Sequence, residues 1–543
     1  MFKGKFNRWL VATSLVGLIL AVPILYVAVQ VFGAKSEAWT FVVAYWVYDY
    51  ALNSSALLIG VCLLALAMGI PTAWLITVYS FPGRRFFAWG LVLPLALPSY
   101  VTAYTYAGIF DYRGPIRRLL YTMGMDSWAF GPDLDIVNIY GLITVMGFAL
   151  YPYVYLTARA SFTQHSNAVI EVAQSLGRTR SGAFWRIALP LSRPALVGGA
   201  SLVGLETLNE YGAVKYYGVD TFTTGIFSAW YSLGDSDAAT RLAACSLIFV
   251  LVVLSFEQWQ RGQRRFAEGG RPKPPLRRQR LSARRGLLAC GICALPFLLG
   301  FAIPILQLFS WAVLTWRRVL EVDFLILVFN SLALSAVASL LVVGIAVLMV
   351  FTARMYPLLV MRSLGRVTTL GYSVPGAVIA IGVMLPIAWV DSIIDDISTA
   401  WLGISTGLLL GNSLVTLQYA YLVRFLAVGY RAVEAGFEGL SVHVEEAARS
   451  VGAGPWRTLT KIDVPLVSTA LVGAGMLVFI DVLKELPLTL ILRPFNFETL
   501  ATRAFELASD EEVAASANAS LIIVAIGAAP ALALNRIMGR QEA

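Results

Sequence analysis

Charge is scarce in this chain. Of its 543 residues only 13% are Asp, Glu, Lys or Arg, where soluble domains carry about a quarter, and that shortage excludes an ordinary water-soluble globule. Histidine is scarcer still: the two, His165 and His443, leave little for an imidazole-based active site, and no nucleophile–base set or histidine-rich metal motif is visible. The four cysteines, Cys62, Cys245, Cys290 and Cys293, all fall in apolar runs and imply no disulfide framework. Cys290 and Cys293 have CxxC spacing, but with no second pair they read as small apolar packing residues. A GxxxxGK[ST] phosphate-binding loop is absent, so any ATP hydrolysis belongs to a separate subunit. The chain does not read as an enzyme, and nothing in it implies a bound cofactor.

Apolar residues are abundant, at 58%, with a mean hydropathy of +0.74. Runs near the ~20 residues that span a bilayer recur twelve times, near 9–32, 56–80, 86–110, 137–157, 194–213, 240–257, 286–315, 331–352, 365–390, 404–425, 467–491 and 519–536. These are expected to be helices, which satisfy their backbone hydrogen bonds within one segment. The first run follows Lys3, Lys5 and Arg8. It is longer than the ~7–15-residue core of a signal peptide and is read as an uncleaved helix entering from the cytoplasm.

The stretch Arg261 to Arg285 holds ten Lys/Arg and one Glu, a net of +9. The whole chain is also formally +9, so everything outside this stretch sums to zero. The basic balance is therefore a local positive-inside signal. A Pro-rich basic connector between spans points to topology and contact with membrane lipid, and no nucleic-acid partner is expected. With the linker and the N-terminus inside, Arg84, Arg85, Arg354 and the polar stretches 158–192 and 426–466 fall in the cytoplasm, as does the C-terminus.

The two polar stretches are copies of one another. Glu446, Ala448, Gly452, Ile462 and Pro465 recur in the first half of the chain, at one constant offset, as Glu171, Ala173, Gly177, Ile187 and Pro190. Asn53 with Asn330 and Pro98 with Pro375 repeat at very nearly the same offset. The chain therefore divides into a first repeat, 1–260, with its polar loop near 158–192; a basic cytoplasmic linker, 261–285; and a second repeat, 286–543, with its loop near 430–466. Each repeat has six spans and begins and ends inside, so the two run parallel.

Each loop reads as helix, turn, helix. Residues 444–451 form helix, Gly452 and Gly454 supply a left-handed end, and Pro455 suits the first turn of the next helix. In the first copy Gly177 ends one helix and Ser181 is placed to cap the next. A fixed duplicated register suits docking into a partner's groove; contact with lipid headgroups needs no such register. His165 and His443 lie out of that register and read as incidental.

The E-A-A-x3-G-x9-I-x-L-P pattern of these loops resembles the ATPase-coupling loop of ABC importer permeases. The copies depart from it only at Val172 and Val464. The resemblance implies an all-α integral membrane protein of the type I ABC importer class, with twelve transmembrane helices in two parallel six-helix repeats. It implies that Glu171, Ala173 and Gly177, and Glu446, Ala447 and Gly452, meet two copies of an ABC ATPase that carry ATP and Mg. The combination of NEYGAV at Asn209–Val214 with KELPLTLILRPFNFETLATRAF at Lys484–Phe505 looks like the fused ferric-iron permeases. That implies Fe3+ as substrate, a periplasmic binding protein that delivers it, and the cell inner membrane as location. Related fused permeases import thiamine or aminoalkylphosphonates, and single-repeat relatives carry polyamines, molybdate or sulfate. A secondary transporter independent of an ATPase would have no use for the duplicated docking loop.

Ionisable residues inside the membrane mark functional sites by default. Glu206 and Glu210 are i,i+4 on one helical face, and Asp481 and Glu485 repeat them at the offset of the two loops. These four carboxylates are the candidate translocation pathway, and transient ligands for a hard cation that prefers oxygen donors. Three other readings stand beside this one: solvation or helix capping for Glu210 and Glu485, an i,i+3 ion pair between Asp481 and Lys484, and recognition of the delivering protein. Tyr100, Tyr104, Tyr106 and Tyr211 are read as interfacial anchors before ligands.

Overall fold

Peptide groups in a bilayer have no water to bond, so long apolar runs must close their hydrogen bonds internally. The computed structural model of the chain is built accordingly from helices. It describes residues 8–33, 35–112, 114–123, 135–175, 180–261, 278–358, 361, 364–365 and 370–542. In chain order the principal helices are α1 (Arg8–Gln30), α2 (Val47–Val78), α3 (Ser99–Phe110), α4 (Ile139–Ser175), α5 (Arg193–Asn209), α6 (Gly212–Tyr216) and α7 (Ser236–Arg261). Then come α8 (Ala283–Phe297), α9 (Ile303–Thr315), α10 (Val322–Met355), α11 (Gly376–Leu402), α12 (Leu414–Glu438), α13 (Val442–Ser450) and α14 (Pro455–Thr458). The last are α15 (Ser468–Leu483), α16 (Pro487–Leu492), α17 (Leu500–Ser509) and α18 (Val513–Glu542). Two short strands, β1 (Tyr79–Ser80) and β2 (Gln279–Arg280), pair in parallel. Of the linker expected over 261–285, residues 262–277 lie outside the described residues.

Among the described residues seven helices are long and apolar enough to cross a membrane, and up to ten if each of three bent pairs is one span. The bent pairs are Arg84–Ala96 with Ser99–Thr122 (93°), Phe184–Leu191 with Arg193–Asn209 (63°), and Pro455–Leu466 with Ser468–Leu483 (77°). Of the other two expected spans, α12 is interrupted by Arg424, Arg431, Glu434 and Glu438, and Val513–Ala528 is a shorter apolar helix.

Several expected spans end elsewhere than hydropathy placed them. The run 86–110 breaks at Pro98, whose ψ of 143° is extended and whose ring excludes a preceding helical turn; Pro375 does the same before α11. The run 404–425 becomes helical only at Leu414. Ahead of it, Asp391 accepts from the backbone N–H groups of Leu410 and Gly411 at 2.9 and 2.7 Å, and Asp395 accepts from those of Thr406 and Gly407. Those carboxylates supply the partners a helix would have supplied. The runs 194–213 and 467–491 are not continuous helices either; they stop at Glu210 and Lys484.

The helices form two compact units. One comprises residues 1–44, 225–247 and 318–503; the other comprises 45–224, 248–317 and 504–543. In the first, α10, α12 and α15 pack on one another and α1 packs on α11. In the second, α2, α4 and α5 pack on one another and α9 packs on α18. The two trios occupy corresponding places in the two repeats. Each unit also holds a first span from the other repeat, α1 in one and α8–α9 in the other, so packing cuts across the repeat boundaries.

Lipid tails are as apolar as leucine, so helices in a membrane associate through close backbone approach and hydrogen bonds. At Gly60, Gly69 and Gly147, where α2 meets α4, a Cβ would lie 2.8, 2.8 and 2.4 Å from Ile143, Val154 and Leu64. At Gly429, where α12 meets α10, it would lie 2.5 Å from Val342. Ser339 Oγ adds a hydrogen bond to the Gly475 carbonyl, α10 to α15, at 2.7 Å.

Candidate functional site

The second polar loop folds as its local chemistry dictates. Helix α13 ends before Gly452, which takes the left-handed φ of +79°, and Pro455 opens α14. A helix as short as α13 does not persist alone, so something must hold it. Arg354, in the last turn of α10, does so. Its Nη2 donates to the Leu440 carbonyl at 2.8 Å, its Nη1 donates to Phe437 O, and its Nε lies 2.5 Å from Glu445 Oε1. Glu445 is only 3% exposed, whereas its neighbour Glu446 is 61% exposed and bonds His443 Nδ1 at 3.0 Å. Adjacent glutamates thus have opposite jobs: Glu445 ties α13 to the body, and Glu446, with the exposed Ala447 and Gly452, is left on the outer face.

Behind Glu445 sits Asp463, fully buried, with neither carboxylate oxygen hydrogen-bonded among the described residues. Burial, reinforced by the charge of Glu445 and offset in part by Arg354, pushes its carboxyl up to about 6. In the first repeat the corresponding positions are Ile170 and Ala188, so this charged cluster belongs to the second loop alone.

The first loop is built differently. Glu171 and Ala173 lie in the last turns of α4, which runs unbroken to Ser175; Gly177 lies outside the described residues. Ser181, expected as a helix cap, lies inside the short helix Arg180–Ala183 instead. That helix therefore starts earlier than the capping preference suggested.

Of the membrane carboxylates, Glu210 and Glu485 stand at the breaks. Where α5 ends, Glu210 Oε1 accepts from the Ala213 N–H at 2.9 Å and Oε2 accepts from the Ser99 hydroxyl. Where α15 ends, Glu485 Oε1 accepts from the Leu488 N–H at 3.0 Å, and Oε2 lies 3.4 Å from Arg424 Nη2. Both caps are i to i+3, and both satisfy a donor that the broken helix leaves open. The second partner differs. Ser99 corresponds to Gly376, where a Cβ would lie 2.2 Å from Arg424 Nη1, so the missing side chain makes room for the guanidinium.

Glu206 and Asp481 lie one turn earlier and are half-buried. Tyr153 donates to Glu206 Oε1 at 3.3 Å, and Asp481 pairs with Lys484 at 2.8 Å. Among the described residues no three His, Cys, Asp or Glu side chains gather as a metal-holding group. The tyrosines are not interfacial anchors: Tyr100, Tyr104, Tyr106 and Tyr211 are all buried. Tyr104 bonds Ser520, Tyr106 donates to the Leu299 carbonyl at 2.5 Å, and the Tyr211 ring packs on Phe505.

Sequence reasoning missed a second duplicated device beyond each break. The Thr221 N–H donates to Thr224 Oγ1 at 2.8 Å, and the Thr499 N–H donates to Thr502 Oγ1 at 2.9 Å. The residues that follow lie against buried serines: the Leu500 N–H donates to Ser331 Oγ at 2.7 Å, and the Phe222 N–H to Ser54 Oγ at 3.5 Å. A T-x-x-T pair present in both repeats, close to the offset of the loops, is the signal that would have found it.

Long apolar helices, with breaks capped by carboxylates at matching places in the two repeats, make a multi-pass membrane protein. A family model described as the binding-protein-dependent transport system inner membrane component matches residues 65–266. The chain is 26% identical over 529 residues, 96% of each chain, to the Fe(3+)-transport system permease protein FbpB 2 of Haemophilus influenzae. It is 32% identical over 149 residues, 27% of its length and 50% of the relative's, to the sulfate transport system permease protein CysT of Escherichia coli. With the molybdenum transport system permease protein ModB of the same species it shares 28% identity over 203 residues, 36% of this chain and 86% of that one. These similarities are to permeases of binding-protein-dependent transport systems, over residues 65–266 for the family model and over 96% of the chain for the iron permease.

Proposed function

We propose that this chain is the permease of an ATP-driven importer of ferric iron, with Fe3+ handed to it by a periplasmic binding protein. The full-length likeness to an iron permease supports the cargo. The observation that carries the mechanism is α13, whose inner face is tied by Arg354 and Glu445 and whose outer face offers Glu446. A rigidly based helix transmits force, so an ATPase gripping the outer face moves α10 and α12 with it. Two ATPase copies, holding ATP and Mg, engage the two loops through Glu171, Ala173 and Gly177 and through Glu446, Ala447 and Gly452. The chain itself binds no cofactor. The repeats 1–260 and 286–543 are the two halves that this closure drives, with both termini in the cytoplasm and the chain in the inner membrane.

Glu206 and Asp481 are the pathway groups in this reading, each one turn before a break. Glu210 and Glu485 hold those breaks open, so any transient contact they make with Fe3+ runs through carboxylates already engaged as caps. A second reading, import of an oxyanion, draws on the sulfate and molybdenum relatives and on the cations Arg424 and Lys484 beside the second break. Purified permease and ATPase in proteoliposomes, fed by the binding protein, test both: labelled iron should accumulate with ATP and labelled sulfate should not. The variant Glu171→Ala/Glu446→Ala should abolish ATPase capture. Retained capture would remove the docking role, and ATP-independent uptake would make the chain a secondary transporter.

A further inference from the structure

The breaks that end α5 and α15 correspond in sequence but differ in chemistry. Helix α5 stops at Asn209, and α15 stops at Leu483 with Lys484 as its C-terminal cap. A helix ends on carbonyl groups that have no partner within it, and these give that end a partial negative charge. In the second repeat the chain supplies its own cation there: Lys484 sits at the end of α15 and pairs with Asp481 at 2.8 Å. In the first repeat the position matching Lys484 is Asn209, a neutral amide. Asn209 is 7% exposed, and its Oδ1 accepts no hydrogen bond among the described residues. A buried polar atom in that condition is unfavourable unless something fills the place beside it.

The surroundings narrow what that is. Asn209 lies three residues after Glu206, so the amide and that carboxylate share a face of α5. Tyr153 donates to Glu206 Oε1 at 3.3 Å, which brings a phenol oxygen to the same place. Amide oxygen, carboxylate, phenol and helix-end carbonyls are all hard oxygen donors, the set a hard cation takes. The C-terminal ends of interrupted membrane helices coordinate transported cations for the same electrostatic reason. A cation at this end would do for α5 what Lys484 does for α15, whereas an oxyanion would meet acceptors. We propose that Asn209 is a specificity-determining residue that contacts the cargo: a hard cation is received at the first break by the Asn209 amide oxygen and the Glu206 carboxylate. At the second break Lys484 takes the corresponding place, so the pathway is one-sided. The proposal rests on the reading of the chain as an importer of a metal cation, and it adds the residue that selects the sign of the cargo's charge.

The test titrates Tb3+, a hard trivalent cation whose luminescence is sensitised by nearby tyrosines, into the full chain purified in detergent. Asn209→Leu should weaken Tb3+ binding roughly 10- to 100-fold, the worth of one contact to a charged group. Asn209→Asp, which keeps an oxygen in place, should bind at least as tightly as wild type. Asn209→Lys, which copies the second repeat, should abolish saturable binding. Gln307→Leu, which removes an amide from α9, should leave binding unchanged. The titration needs neither ATPase nor binding protein, so its failure and that of the import reading are separable. Tb3+ binding in the expected order, with no iron accumulated in proteoliposomes, would remove the ferric cargo and keep the cation site. Equal Tb3+ affinity in wild type and Asn209→Leu, with unchanged helical circular dichroism, overturns the proposal. So does a loss of labelled sulfate uptake in Asn209→Leu with Tb3+ binding unchanged, which would make the amide a donor to an oxyanion.

Discussion

Asp463→Asn should stabilise the second loop, and the effect should depend on pH with a definite sign. The wild-type carboxylate is fully buried without a hydrogen-bond partner among the described residues, and it feels the charges of Glu445 and Arg354. Its carboxyl therefore titrates near 6 in the folded loop, against an ordinary 3.8. Because the folded form holds the proton more tightly, its stability is greatest below pH 3.8 and falls as pH rises through about 6. A rise of about two pH units corresponds to about 3 kcal/mol at neutral pH, an upper bound for a loop that relaxes. Asparagine keeps the shape, removes the charge and offers Glu445 a donor. Hydrogen exchange of the amides over 442–466 reads this out directly. At about pH 8 the variant should exchange up to about 100-fold more slowly than wild type, and the two should converge by about pH 4. Equal exchange at both pH values, or faster exchange in the variant at about pH 8, would refute the view that Asp463 carries an uncompensated buried charge.

Glu485→Ala should destabilise the protein by about 3–5 kcal/mol, because it strands the buried Arg424 and uncaps α16; Arg424→Met combined with Glu485→Met should recover most of that in a thermal melt. Gly452→Ala should cost about 1–2 kcal/mol locally through its left-handed φ, with no clash because the space around it is open, and it should lower ATPase stimulation while leaving the global melt unchanged. Glu206→Gln combined with Asp481→Asn should reduce iron uptake in proteoliposomes with assembly intact, and normal uptake would remove both from the pathway.

Much of this molecule is legible one segment at a time. The second loop's turn follows from a glycine that tolerates positive φ and a proline suited to a first helical turn, at Gly452 and Pro455, so its outline needed no knowledge of the rest. The duplication is also legible, because the matched spacing of Glu171 to Pro190 and Glu446 to Pro465 is a property of the chain alone. The breaks at Glu210 and Lys484 are not: a hydropathy window averages over the few charged residues there and sees one continuous span. Their cause is a pair of carboxylates whose second partners, Ser99 and Arg424, come from helices remote in the chain.

Composition, periodicity and repeat spacing thus established a duplicated helical membrane protein with two loops in a fixed register. Those signals are local, or are comparisons of the chain with itself. Tertiary structure alone decided that Glu445 faces inward and Glu446 outward, since adjacent residues on a short helix differ only in what reaches them, and Arg354 reaches one. It alone decided that Glu210 and Glu485 are caps, and that α1 packs with helices of the second repeat. Each of these depends on which distant side chain supplies the missing charge, hydrogen bond or apolar cover.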